Sequence, residues 1–179
     1  MFELSEGTQI LRADEIDLPT GEFSRIQFVT ACFAPGGTPK DWLPFEENES
    51  NWASLTPEVQ TRMVEQLKGA ICGGKVREIS LSFEPWGEDH FLSAEFDQGW
   101  AAILYNACDE CGVALYSDRP DGLEDAPVDI GGQTPVPKMC AIEDLEKAAR
   151  AVSCFLETGR LSPETTWAVN LEGDLPWRF

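Results

Sequence analysis

The sequence predicts an α+β fold, a single domain in which an antiparallel β-meander sheet is packed by two main helices, with an N-terminal strand-and-loop extension. Three observations predict it. Val59, Met63, Leu67 and Ala70 or Ile71 recur at the helical spacing of three and four, and so do Ile142, Leu145, Ala149, Val152 and Phe155 or Leu156. Between these two stripes lie short β-branched and aromatic runs separated by turn signals. The chain has 179 residues, of which 42% are hydrophobic, enough for one domain and hardly enough for two. A core of that size needs no disulfide or metal to hold it. Residues 1–179 are therefore expected to form one domain, with 1–52 as the extension and 53–179 as the helix, meander and helix core.

The elements follow in chain order. Thr8 to Arg12 fits a short strand, and Glu22 to Phe33 a stronger one led in by Gly21. Ala34 to Trp52 is rich in Pro, Gly, Asn and Glu and reads as a long loop, stapled to the body by Trp42, Phe45 and Trp52. Thr56 followed by Pro57 is a helix start, with a capping hydroxyl and then proline at the first helical position. That helix stops at Gly73-Gly74. Lys75 to Phe83 is a strand with Ile79, Leu81 and Phe83 on one face. Pro85-Trp86-Gly87 turns the chain. His90 to Asp97 and Trp100 to Ala107 flank Gln98-Gly99, a tight hairpin signal. Asp109-Glu110 makes the next turn, Gly112 to Ser117 is a strand, and Arg119 to Asp125 a polar loop. Val128 to Val136 is expected to close the sheet. The second helix opens on Glu143, Asp144 and Glu146, where the helix dipole favours acid, and ends at Gly159. Pro163 prevents a restart. Trp167 then offers a packing ring just beyond the stop.

Charge narrows the partners. Asp and Glu total 32 against 13 Lys and Arg, a formal net charge of -19. Such a chain repels nucleic acid and anionic membranes, because both need cationic contacts. It attracts a basic partner and meets it quickly. The charge is also unevenly spread. From Glu84 to Asp129 there are twelve acids against one base, Arg119, so this segment carries -11. The candidate partner-binding residues are Asp89, Asp97, Asp109, Glu110, Asp118, Asp121, Glu124 and Asp125. Most of them fall in predicted turns, where they would gather at the ends or on one face of the sheet. Glu143, Asp144 and Glu146 are expected to stand apart from them.

Catalytic and metal chemistry finds little to build on. Cys108 and Cys111 resemble half of a zinc knuckle, but no second CxxC exists and His90 is the sole histidine. Asp118 to Asp125 fails the spacing of a calcium loop. No GxSxG, HExxH or P-loop occurs. Paired carboxylates are inevitable in so acidic a chain and carry no weight. No catalytic residue, metal or cofactor is expected. The first residues lack a basic region followed by an apolar run, and no apolar stretch reaches the length of a membrane span. The six cysteines lie on apolar patterns or in turns, so a reducing cytoplasm is the expected location.

From Leu115 to Trp167 the chain resembles the first-described immunity protein family of bacterial polymorphic toxin systems, which includes inhibitors of cytosine deaminase toxins. The resemblance rests on LYSD at Leu115 to Asp118, IGGQTPVP at Ile130 to Pro137, the acidic-start helix IEDLEKAARAV, FLETGR at Phe155 to Arg160, Pro163 and Trp167. It implies an inhibitor that binds a cognate toxin domain and blocks its active site, without catalysis. It assigns no contact residue. The first fifty or so residues look like an addition to the family pattern. Two other functions stay open on the residues themselves: a hydrolase using paired carboxylates, and an acidic adaptor that binds a different basic protein. A deep pocket with two convergent carboxylates would favour the hydrolase, and a flat or protruding acidic face would favour binding.

Overall fold

Helix α1, Pro57–Cys72, begins where the Thr56 hydroxyl accepts a hydrogen bond from the Val59 amide at 3.3 Å. Its stripe of Met63, Val64, Leu67, Ala70 and Ile71 is buried. Helix α2, Leu145–Thr158, is capped by the Asp144 carboxylate, which accepts from the Lys147 amide at 2.9 Å. It ends at Gly159 with φ +67°, a left-handed conformation that glycine adopts at little cost. These elements come from a computed structural model that describes residues 1–16, 26–42, 56–83, 90–106, 111–173 and 175–179. The α2 stripe starts later than the periodicity predicts. Ile142 is not helical: its backbone exchanges hydrogen bonds with Ala101 at 2.8 and 2.9 Å, tying the helix entry to the sheet.

The strands of the sheet are β2 (Gln9–Arg12), β3 (Phe28–Phe33), β4 (Val76–Ser82), β5 (Phe91–Asp97), β6 (Trp100–Asn106), β7 (Gly112–Tyr116) and β10 (Thr166–Asn170). They form a seven-stranded sheet in the order β2-β10-β7-β6-β5-β4-β3, with every neighbouring pair antiparallel. The run β4 to β7 is the meander that the turn signals predict, and β3, from the extension, pairs beside β4. Together with two helices it makes an α+β domain. Of the Glu22 to Phe33 stretch the described residues are strand from Phe28 to Phe33; residues 22–25, and Phe45 and Trp52 of the long loop, lie outside the described residues. Trp42 packs its ring edge-on against Phe33 with centroids 5.1 Å apart.

Two expectations need correction. Trp167 does not lie on a tail behind the helix: it stands in β10, a strand between β7 and β2. A single isolated strand has no periodicity strong enough to betray its partners 50 residues and 150 residues away, roughly the separations to Leu115 and Leu11. Val128 to Val136 does not close the sheet. It belongs to a separate hairpin of β8 (Asp125–Ile130) and β9 (Thr134–Pro137), and a third pairing joins β1 (Glu3–Leu4) to β11 (Trp177–Arg178). That hairpin repeats the alternation of a sheet strand because one of its faces is buried, and alternation does not say against what.

The sheet is covered on both faces, but unequally. The first face carries Ile79, Leu81, Leu92, Ile103, Leu115 and Trp167 under the two helices. On the second face Ala102, Leu104, Ala114 and Ala168 receive Val128 and Val136 of the hairpin, Met139, Phe2 and Trp177. Alanines on β6, β7 and β10 let the hairpin approach closely. The Trp177 indole donates to the Pro135 carbonyl at 3.1 Å and locks the two pieces together. The second layer therefore rests on β6, β7 and β10 and reaches β5 through β8.

Candidate binding surface

At one end of the sheet the chain makes the tight turn that Gln98-Gly99 predicts. Gln98 has φ +47° and Gly99 φ +82°, the pair of positive values that a two-residue hairpin with right-handed strand twist requires. Asp97 then faces Trp100 across the hairpin. β7 leaves the sheet at the same end, and Arg119 follows with its guanidinium 4.8 Å from the Trp100 ring centroid. Arg119 donates to Asp121 at 3.1 Å and lies 3.5 Å from Glu143. Lys138 donates to Asp121 at 2.9 Å and to Glu124 at 2.7 Å. The Arg119 hydrogen bond, then that of Lys138, holds the Asp121 carboxyl down at about 2.

This network changes the status of two of the eight candidate acids. Asp121 and Glu124 are neutralised within the chain, because β9 delivers Lys138 to a loop that in sequence holds one base. Arg119 also reaches Glu143, so this one of the acids at the start of α2 does not stand apart from the candidates as expected. Asp121→Asn should lower the melting temperature near neutral pH. A depressed folded-state carboxyl contributes fully above its ordinary value of 3.8 and loses that contribution as pH falls through about 2. The difference between variant and wild type should shrink over that window in thermal melts run at stepped pH.

Asp97, Asp118 and Asp125 are exposed and form no ion pair among the described residues. Asp97 and Asp118 share the sheet end with Arg119, and Asp125 opens β8. Asp89, Asp109 and Glu110 lie outside the described residues. Their nearest described neighbours in the strands are Phe91, Asn106 and Gly112, which pair at the far end of β5, β6 and β7. Six residues of extended strand separate Phe91 from Asp97, about 20 Å. Among the described candidates, Asp97, Asp118 and Asp121 lie at the Trp100 end of the sheet. Cys111 is buried, Cys108 lies outside the described residues, and no group of three metal-binding side chains occurs among the described residues.

The sequence contained a further polar surface that charge counting passes over. Alternation along β3, β4 and β5 puts apolar residues under the helices, and it places Thr30, Cys32, Glu78, Ser80, Ser93 and Glu95 on the other side of the sheet. The register aligns Thr30 with Ser80 and Ser93, and Cys32 with Glu78 and Glu95. All six remain partly or fully exposed, the hairpin layer reaching Glu95 alone of them. Glu95 sits at the boundary of the two regions, where it accepts a hydrogen bond from the Gly131 amide at 3.3 Å. Partial burial, reinforced by the neighbouring Glu78, pushes its carboxyl up to about 7 against that hydrogen bond. A groove beside it is lined by Arg77, Asp97, Val128 and Asp129. The signal that could have found this surface is the run of small polar residues facing away from Ile79, Leu81, Leu92 and Ala94.

No helix among the described residues is long and apolar enough to cross a membrane. No curated protein and no solved structure matches the chain. The family described as Immunity protein Imm1 matches residues 57–169, from the first residue of α1 to the penultimate residue of β10. The match covers both helices and the whole β4–β7 meander, so the chain belongs to the Imm1 immunity protein family.

Proposed function

We propose that this protein neutralises a cognate bacterial toxin domain by covering its active site with an acidic surface, and that the toxin is basic where it is covered. The observation that carries this reading is charge left uncompensated. The chain holds 32 acids and 13 bases, and Arg119 and Lys138 are consumed by an internal network. Family membership supports a toxin as the partner. A toxin that attacks nucleic acid, such as a deaminase or nuclease, needs a cationic groove, and an acidic inhibitor fits it by masking or mimicking phosphate. In this reading the mechanism is occlusion, without catalysis, cofactor or bound nucleic acid, and the chain acts in the cytoplasm as one unit from residue 1 to 179. Asp97, Asp118 and Asp125 are its steering charges, with Asp89, Asp109, Glu110, Asp121 and Glu124 adding to the field.

Co-expression tests the function directly. The chain should rescue growth of cells producing the toxin domain encoded by its upstream neighbour, and should purify with that domain. Absence of both overturns the reading. The steering role has its own measurement. Reversing Asp97, Asp118 and Asp125 to lysine should slow association about tenfold or more at low salt. The loss should shrink as screening tightens to about 8 Å at physiological ionic strength. Reversal of the exposed helix residues Glu58, Glu65 and Glu157 changes net charge equally from the opposite side of the sheet. Equal slowing from both sets would mean that net charge alone matters and that no localised acidic surface steers the partner.

A further inference from the structure

On the sheet's second face the β8–β9 hairpin leaves part of β3, β4 and β5 open, between the buried row of Phe28 and Ser82 and the point where β8 meets β5. β6, β7 and β10 are capped by the β8–β9 hairpin and the β1–β11 pair, and β8 reaches β5 beside Glu95, whereas Thr30, Ser80 and Ser93 turn outward in one cross-strand row and Cys32 and Glu78 beside Glu95 in the next. Three strands about 4.8 Å apart and a row spacing of about 7 Å make this a flat patch of short side chains with acid along one margin. We propose that this half-face is the contact surface for the toxin, and that it receives a lysine or arginine side chain whose stem lies along Thr30, Ser80 and Ser93 and whose cationic head sits between Glu78 and Glu95. The inference rests on the immunity function proposed above and adds to it the surface and the recognised group.

Charge complementarity selects the occupant. Glu78 and Glu95 stand directly opposite each other in the β4–β5 register, where Cβ atoms are about 4.5–5.5 Å apart and like charges destabilise the pair. No cation pairs with either of them among the described residues, whereas Asp121, Glu124 and Glu164 all have one. Glu95 is half-buried with one amide donor, so a cation placed beside it relieves both the repulsion and the cost of burial. A long aliphatic stem suits the row of Ser and Thr, because short side chains leave the sheet surface low and allow close approach. A second copy of this chain is the wrong occupant: two faces that each present Glu78 and Glu95 on a protein of net charge -19 repel. The patch spans roughly 200 Å², about a quarter of one partner's share of a standard interface, so it forms the centre of the contact, and Asp97 and Asp129 lie on its margin.

The test is calorimetric binding of the toxin domain that purifies with the chain, using wild type, Ser93→Arg, Glu78→Lys, Glu95→Gln and the helix-side control Glu65→Arg. Circular dichroism and melting curves confirm that each variant is folded. Ser93→Arg should weaken binding at least 100-fold by filling the row, and Glu78→Lys should do so by repelling the cation. Glu78 is exposed, so that variant keeps the experiment decisive if Ser93→Arg does not fold. Glu95→Gln should weaken binding about tenfold, and Glu65→Arg should leave it within twofold. If wild type binds and folded Glu78→Lys and Ser93→Arg bind equally well, the half-face is not the contact surface, while the immunity function stands. If no toxin domain binds wild type, the immunity function falls and this inference with it.

Discussion

Phe155→Ala is expected to cost roughly 3–5 kcal/mol of stability, the range for deleting a fully buried ring that its surroundings cannot refill. Phe155 is 0% exposed on the inner face of α2 and meets the rings of Phe83 and Tyr105 edge-on, with centroids 5.9 and 5.5 Å away. Those partners belong to or follow β4 and β6, so one side chain ties the helix to two strands, and the cavity left behind is walled by sheet and helix that are both held by other contacts. For a domain of this size the loss corresponds to a fall of about 10 °C in melting temperature. Trp167→Ala should be comparably severe. Its ring is also 0% exposed, and its indole nitrogen donates to the Ser162 carbonyl at 3.2 Å, so truncation removes one of the two hydrogen bonds which that carbonyl accepts, the other coming from the Thr165 hydroxyl at 3.3 Å. Neither residue reaches the surface, so both variants should bind the toxin normally at temperatures where they remain folded. A variant that melts like wild type and fails to bind would show that the segment contacts the partner.

Glu95 should make the free protein less stable as pH rises. Its carboxyl titrates near 7 in the folded chain against an ordinary 4.5, raised by burial first and by Glu78 second. A raised carboxyl contributes fully below the ordinary value, and that contribution is lost as pH climbs through about 7. The charged groups around it are Glu78 on β4, Arg77 one position along that strand, Asp97 on β5 and Asp129 on β8. Three of these four are acids, so the surroundings favour the neutral form. Because Glu95 is half-exposed, solvent screening reduces the effect to about 1 kcal/mol between pH 4.5 and 8. Glu95→Gln should remove this part of the slope and raise the melting temperature at pH 8. The amide oxygen can still accept from Gly131, so that hydrogen bond is retained. A wild-type melting curve with the same pH dependence as the variant would mean that Glu95 titrates as an ordinary surface acid.

Local signals alone were enough for both helices and for the meander. The cap at Thr56, the stops at Gly73 and Gly159 and the Gln98-Gly99 turn act within four residues of where they stand, so the code for them is short-range and readable, whereas the start of α2 at Leu145 falls later than the stripe from Ile142 suggests. The acidic excess was equally legible, since net charge needs no geometry. The family pattern between Leu115 and Trp167 was legible for a related reason: its residues pack the core, and packing restricts residue type strongly.

Only the tertiary structure decided what those residues are next to. Trp167 became a central strand residue because β10 finds β7 and β2 across long stretches of chain. Val128 to Val136 became a second layer, since a half-buried hairpin and a half-buried sheet strand share one alternation. Lys138 and Glu143 reached Arg119 and Asp121 through folding, which turned part of an apparently unopposed acid run into an ion network. The pairing of Glu78 with Glu95 came from the β4–β5 register, and its exposure from where the hairpin layer stops. Periodicity assigns a side chain to a face, but which half of that face stays open depends on the reach of another layer, a long-range property that no local pattern encodes.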